Sequence, residues 1–202
     1  MITLIIRYIL AALTGTLLSC IVIMNFYRAD ASRARRTVSA SVNVFVMTGS
    51  CLLFAFYYGF SYRFIIYTML AVNLLYISNC DIREKWISYE TIAVSAICGL
   101  AMLVWNKDNA WWACIASGLG FAGVFILASR ITRGSIGVGD ALIIGVIGLY
   151  LGFYHTLAVV FYALLLGGVL SLILFLMKKV SRRTPLPFAP FLTAGFLVSI
   201  LR

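Results

Sequence analysis

Residues 141–177 read ALIIGVIGLYLGFYHTLAVVFYALLLGGVLSLILFLM and contain no Asp, Glu, Lys or Arg. Apolar residues here do not alternate with polar ones. That excludes the strands of a membrane barrel, which run to about 9–11 residues with a period of two. In lipid the backbone must satisfy its own hydrogen bonds, so a stretch of this kind is helical. It is long enough to divide into two runs, 141–154 and 156–177. Working outward, six further apolar runs are read at 2–26, 42–60, 64–80, 87–105, 110–129 and 186–201. The expected fold is an all-α polytopic membrane protein with about eight transmembrane helices. Residues 1–202 are read as a single membrane-embedded domain, with a short basic loop at about 28–41. The run at 2–26 exceeds the 7–15 apolar residues of a signal peptide and lacks a clean cleavage site, so it is expected to be a retained first helix.

Composition agrees. The chain of 202 residues is 63% hydrophobic and 11% charged, with a mean hydropathy of +1.06. A soluble domain of this size has too little polar surface to cover so much apolar matter, so the lipid bilayer is the expected surrounding. The net charge of +10 would suit nucleic acid, but the charges lie in short segments between apolar runs, and no nucleic-acid partner is expected. Arg28, Arg33, Arg35, Arg36, Arg83, Lys85, Arg130, Arg133, Lys178, Lys179, Arg182 and Arg183 follow odd-numbered runs, whereas the opposite-side loops offer only Arg63 and Lys107, with Arg7 and Arg202 near the termini. This asymmetry places the odd-numbered loops in the cytoplasm. Cys20, Cys51, Cys80, Cys98 and Cys114 form no CxxC pair, so neither a zinc site nor a disulfide framework is expected.

The acidic residues are Asp30, Asp81, Glu84, Glu90, Asp108 and Asp140. Asp30 and Asp108 belong to loops. Asp81 closes the third apolar run and Asp140 opens the sixth, and carboxylates at such boundaries are costly unless something uses or pairs them. By the charge asymmetry both fall on the cytoplasmic side, so two acids distant in sequence can meet at one depth. A close carboxylate pair does not ionise twice readily and shares a proton. One member can then activate water while the other protonates a peptide carbonyl. Each acid also has an ordinary structural reading: Asp140 as a helix N-cap, and Asp81 paired with Arg83 or Lys85.

Two further stretches stand out. GSIGVGDALIIG places Gly137 and Gly139 before Asp140, where glycine allows φ > 0 and a close backbone approach; glycines also serve to pack membrane helices. TPLPFAPFLTAG contains Pro185, Pro187 and Pro190, the only prolines of the chain, and predicts an irregular entry to the last helix.

Together these stretches resemble the type IV prepilin peptidases, GxGD-type intramembrane aspartyl proteases. DIREKWIS from Asp81 resembles their D-x5-I-P element. GVGD, Gly137 to Asp140, matches their G-x-G-D, and PLPFAPFL from Pro185 to Leu192 is similar to their P-F-x-P-F-L. GTLLSCIVIMNFYR is more loosely similar to their opening stretch. Ser88 stands where proline is usual and Leu142 where lysine is common. The resemblance implies an aspartic endopeptidase that removes short leaders from prepilins or pseudopilins at the cytoplasmic face of a prokaryotic inner membrane. It makes Asp81 and Asp140 catalytic, and Gly137, Gly139, Pro187, Phe188 and Pro190 substrate-binding. Long members carry a zinc-binding CxxC insert after the first span, where this sequence has only the basic stretch 28–41. No metal is therefore expected, and no cofactor except S-adenosylmethionine should a methyltransferase activity be retained. A small transporter or channel using intramembrane carboxylates, or an inactive pilus-assembly factor on the same fold, are the alternative readings. The sequence specifies neither the oligomeric state nor which filament system the substrate serves.

Overall fold

The computed structural model describes residues 2–27, 33–84, 88–104, 110–132, 137–177 and 187–200. Among them are seven helices: α1 (Ile2–Tyr27), α2 (Arg33–Tyr58), α3 (Tyr62–Glu84), α4 (Tyr89–Met102), α5 (Trp111–Ile131), α6 (Val138–Leu176) and α7 (Ala189–Ile200). The described residues contain no strand. Four helices hold stretches long and apolar enough to cross a membrane: Ser41–Tyr58, Tyr62–Arg83, Trp111–Ile131 and Val138–Leu176. Shorter apolar stretches lie at Tyr8–Cys20, Tyr89–Met102 and Ala189–Ile200. The chain is an all-α, multi-pass membrane protein.

Two boundaries differ from expectation. The basic stretch expected as a loop at 28–41 is helical from Arg33 onward, while residues 28–32 lie outside the described residues. Hydropathy marks where lipid ends rather than where backbone hydrogen bonding ends. Ala and Arg are good helix formers, so Arg33, Ala34, Arg35 and Arg36 extend the helix beyond the apolar run. The expected runs 141–154 and 156–177 form one element, α6, of 39 residues. Unbroken, it would measure about 58 Å, nearly twice a hydrocarbon core of about 30 Å. It breaks at Gly152, with φ 73° and ψ −175°, a conformation open essentially to glycine alone. The Gly152 carbonyl then accepts a hydrogen bond from Thr156 Oγ1 at 2.7 Å, which ties down the first turn of the second half.

The chain forms two compact units, Met1–Tyr76 and Ile77–Arg202, whose boundary falls within α3. In the first unit α1 packs on α2, where a Cβ on Gly15 would stand 2.8 Å from Thr48 Cα. Gly59, at φ 60°, ends α2 with its N–H on the Ala55 carbonyl, a left-handed cap. Tyr67 of α3 meets the rings of Phe54 and Tyr58.

In the second unit α6 is central. Its first half is almost wholly buried, including Ala141, Ile143, Ile144, Val146, Ile147 and Tyr150. It packs backbone to backbone on α5: a Cβ on Gly148 would lie 2.9 Å from Gly118 Cα, and one on Gly145 would lie 3.0 Å from the Gly118 carbonyl. The second half packs antiparallel to α7, with Phe191 against Gly167 and Gly195 against Val159 and Ala163. Ala189 therefore falls level with the residues just past Gly167. Asp81 bonds Ala189 and interacts electrostatically with Asp140, so the two ends of α6 lie at similar depth. A straight helix would hold them about 40 Å apart; the chain doubles back at Gly152. A Cβ there is strained whatever the space around it. Gly152→Ala is expected to lower stability by about 1–3 kcal/mol, read as a reduced unfolding temperature in detergent. An unchanged midpoint would show that the turn tolerates a side chain.

Candidate active site

Asp81 lies one turn from the end of α3 and is 7% exposed. Its Oδ2 accepts a buried hydrogen bond from the backbone N–H of Ala189, at 3.0 Å. Ala189 is the first residue of α7, and a helix N-terminus presents unpartnered N–H groups with a positive dipole end. The prolines make this bond specific. Pro190 has no N–H, while the N–H groups of Phe191 and Leu192 both turn back to the Phe188 carbonyl, at 3.0 and 3.2 Å. Of the donors at 189–192, only that of Ala189 points out of the helix to Asp81. Pro187, Phe188 and Pro190, expected to bind substrate, are each half-buried and flank Ala189 in the chain, a proline collar in sequence.

Asp140 occupies the third position of α6 and is half-buried. The N-cap is Gly137, and no side chain caps the helix, so the alternative reading of Asp140 as an N-cap does not hold. The acid stands in the first turn of the helix, where a negative charge suits the dipole. Its carboxylate and that of Asp81 interact electrostatically. The structure thus brings two acids on separate helices within electrostatic range, with Asp81 bonded to α7.

The glycines differ from expectation. Gly137 has φ −64° and ψ 135°, an extended conformation open to any residue, and Gly139 is helical and half-buried. Neither takes a positive φ. Space explains Gly137 better than conformation does: a Cβ there would sit 3.0 Å from Asp140 Oδ2, against the carboxylate itself. Of the two properties the sequence reading offered, freedom of φ and absence of Cβ, the structure uses the second at Gly137, and only coordinates separate them.

Of the basic residues beside the two acids, Arg83 and Arg130 are exposed, while Lys85 and Arg133 lie outside the described residues. Ala189 went unremarked in the sequence because its contribution is a backbone N–H; the available signal was its place between two prolines.

Asp81, buried, and Asp140, half-buried, thus sit on the scaffold of a polytopic helical membrane protein. The model of the type IV leader peptidase family matches residues 68–172, and the chain belongs to that family. It is 33% identical over 101 residues to a Prepilin leader peptidase/N-methyltransferase of Bacillus subtilis (strain 168), covering 50% of this chain and 40% of the relative. It is 24% identical over 152 residues to a protein of the same name from Stutzerimonas stutzeri, covering 73% of this chain and 53% of the relative. The chain thus spans about half, or less, of the length of these curated relatives. No solved structure gives a significant match. Both acids lie within the family match, whereas the proline collar lies beyond it. Ser88, which stands where the resemblance would put a proline, holds φ at −65°, the value a proline would fix.

Proposed function

We propose that the chain is an intramembrane aspartic endopeptidase that removes the leader from prepilins or pseudopilins, with Asp81 and Asp140 as the catalytic pair. The observation that carries this reading is that carboxylates from α3 and α6 come within electrostatic range of each other, one of them held by a backbone N–H. In the proposed reaction the pair holds a single proton. The ionised carboxylate takes a proton from water, whose oxygen bonds to the scissile carbonyl carbon. The protonated carboxyl gives its proton to the carbonyl oxygen. The tetrahedral adduct collapses as the C–N bond breaks: the leaving nitrogen takes up the proton first removed from water, and one hydroxyl of the adduct returns its proton to the carboxylate that had given one, so that C=O reforms and the pair again holds a single proton. Ala189 engages Oδ2 of Asp81, so Oδ1 is the oxygen that meets water.

The excess of Lys and Arg after odd-numbered runs supports an active site facing the cytoplasm, in the inner membrane of a prokaryote. The substrate's own apolar helix lies in the bilayer and brings its membrane boundary to the acids. Recognition then rests on fit rather than charge, because a basic leader and a basic protein face repel. The crowding of Gly137 against Asp140 favours a substrate residue without Cβ before the cut. Methylation of the product would need S-adenosylmethionine, and no residue described here is assigned to that step.

The test is co-expression with candidate prepilins and measurement of leader loss by mass. Cleavage should occur with the wild-type chain. It should stop when the glycine before the cut becomes leucine and should persist when leader lysines become glutamine. Cleavage that tolerates leucine but needs the lysines would overturn this account of recognition; no cleavage of any prepilin would overturn the activity.

A further inference from the structure

Asp81 is not the only side chain of α3 that reaches α7. One turn earlier, Ser78 Oγ lies 2.6 Å from Thr193 Oγ1, with both residues buried. Thr193 Oγ1 in turn donates to the Ala189 carbonyl at 3.1 Å. A threonine hydroxyl has one proton. With that proton on Ala189, the Ser78 hydroxyl must be the donor to Thr193. The chain of bonds thus runs from Ser78 through Thr193 to the Ala189 carbonyl, while the Ala189 N–H goes to Asp81. Both peptide planes flanking the Ala189 Cα are tied to α3, three residues apart on one face of that helix. Ala189 and Ser78 are 0% and 5% exposed, so water does not readily replace these partners.

We infer that Ser78 and Thr193 are positioning residues for Asp81, acting through the Ala189 backbone to fix the orientation of its carboxylate. This role rests on the proposed peptidase reading. Among the described residues Asp81 reaches α7 through the Ala189 hydrogen bond, and one bond alone leaves a carboxylate able to swing about its side-chain torsions. The Ser78–Thr193 bond blocks this by locking the register of α7 against α3. The acid then meets water and the partner Asp140 in one geometry, as a reacting constellation requires.

The test uses the full chain in membranes with a prepilin that it cleaves. A misplacement of about 1 Å can cost on the order of a hundredfold in rate. Ser78→Ala and Thr193→Val leave the Asp81 bond in place, so each is expected to lower kcat about tenfold with KM within about twofold. Because the two residues act as one link, the double variant should lose no more than the worse single one. Thr193→Ser keeps the hydroxyl and should restore kcat. Unchanged kcat in the single variants, or losses that multiply in the double, would overturn the proposal, as would failure of Thr193→Ser to rescue. A second readout does not depend on cleavage. Hydrogen exchange at the Ala189 amide should speed up about tenfold in Thr193→Val, while amides deeper in α7 keep their protection. Unaltered exchange at Ala189 would overturn the inference even if the protein proved to cut no prepilin, and that last result would bear on the peptidase reading alone.

Discussion

Asp81→Asn and Asp140→Asn are each expected to reduce leader cleavage to background, a loss on the order of a thousandfold or more, while the protein stays inserted and helical. The size follows from the chemistry. An amide can neither take a proton from water nor give one to a carbonyl oxygen in the way a carboxyl pair does, and residues that act as a unit fail together. The intact fold follows from the geometry. Asparagine retains a carbonyl oxygen that can accept the Ala189 N–H now held at 3.0 Å. At position 140 the helix start does not rest on the side chain, since Gly137 is the N-cap and no side-chain cap is made. Glu90, exposed in the first turn of α4, supplies the control: Glu90→Gln should cleave at the wild-type rate. The measurement is leader loss by mass, alongside circular dichroism of the purified variants. Near-normal cleavage by either Asn variant would remove the catalytic assignment.

Gly195→Ala should be the most damaging small change away from the acids. A Cβ at that position would lie 2.6 Å from the Val159 carbonyl oxygen and 2.8 Å from the Ala163 nitrogen. Both are backbone atoms of the facing half of α6, so no side chain can rotate out of the way. α7 must move outward instead, at a cost of about 1–3 kcal/mol for the overpacked interface. The movement also draws Ala189 from Asp81, and a shift of about 1 Å is expected to cost up to a hundredfold in cleavage. Gly168→Ala is the matched control. Nothing lies within 4 Å of where its Cβ would go, and alanine favours helix over glycine by about 1 kcal/mol, so stability should hold or rise. Thermal unfolding and cleavage rate, measured on both variants, check the pair; equal behaviour of the two would show that α7 and α6 do not meet as described.

Much of the architecture was legible in the sequence because lipid is a strict solvent. Apolar runs without charge had to be helices, and the uncharged stretch 141–177 was divided in two on length alone. The structure finds the break at Gly152 rather than at His155, because the polar residues Tyr154, His155 and Thr156 interrupt the hydropathy while the positive φ falls on the glycine. The helical extension of α2 to Arg33 was not visible, because a window that measures oiliness stops at the first arginine.

For the site, the sequence by itself singled out the two carboxylates at the ends of apolar runs, led to the expectation that both face one side, and showed the glycines before Asp140 and the prolines near the C-terminal helix. These follow from residue type and from the count of crossings between Asp81 and Asp140. What only the tertiary structure decided is which partner each acid meets. The Ala189 N–H, the crowding of Gly137 against Asp140 Oδ2, and the Ser78–Thr193 bond all join residues that chain order leaves unconnected. Backbone donors have no letter in a sequence, and a hydroxyl that bridges two helices looks like any other small polar residue until packing fixes the register of those helices.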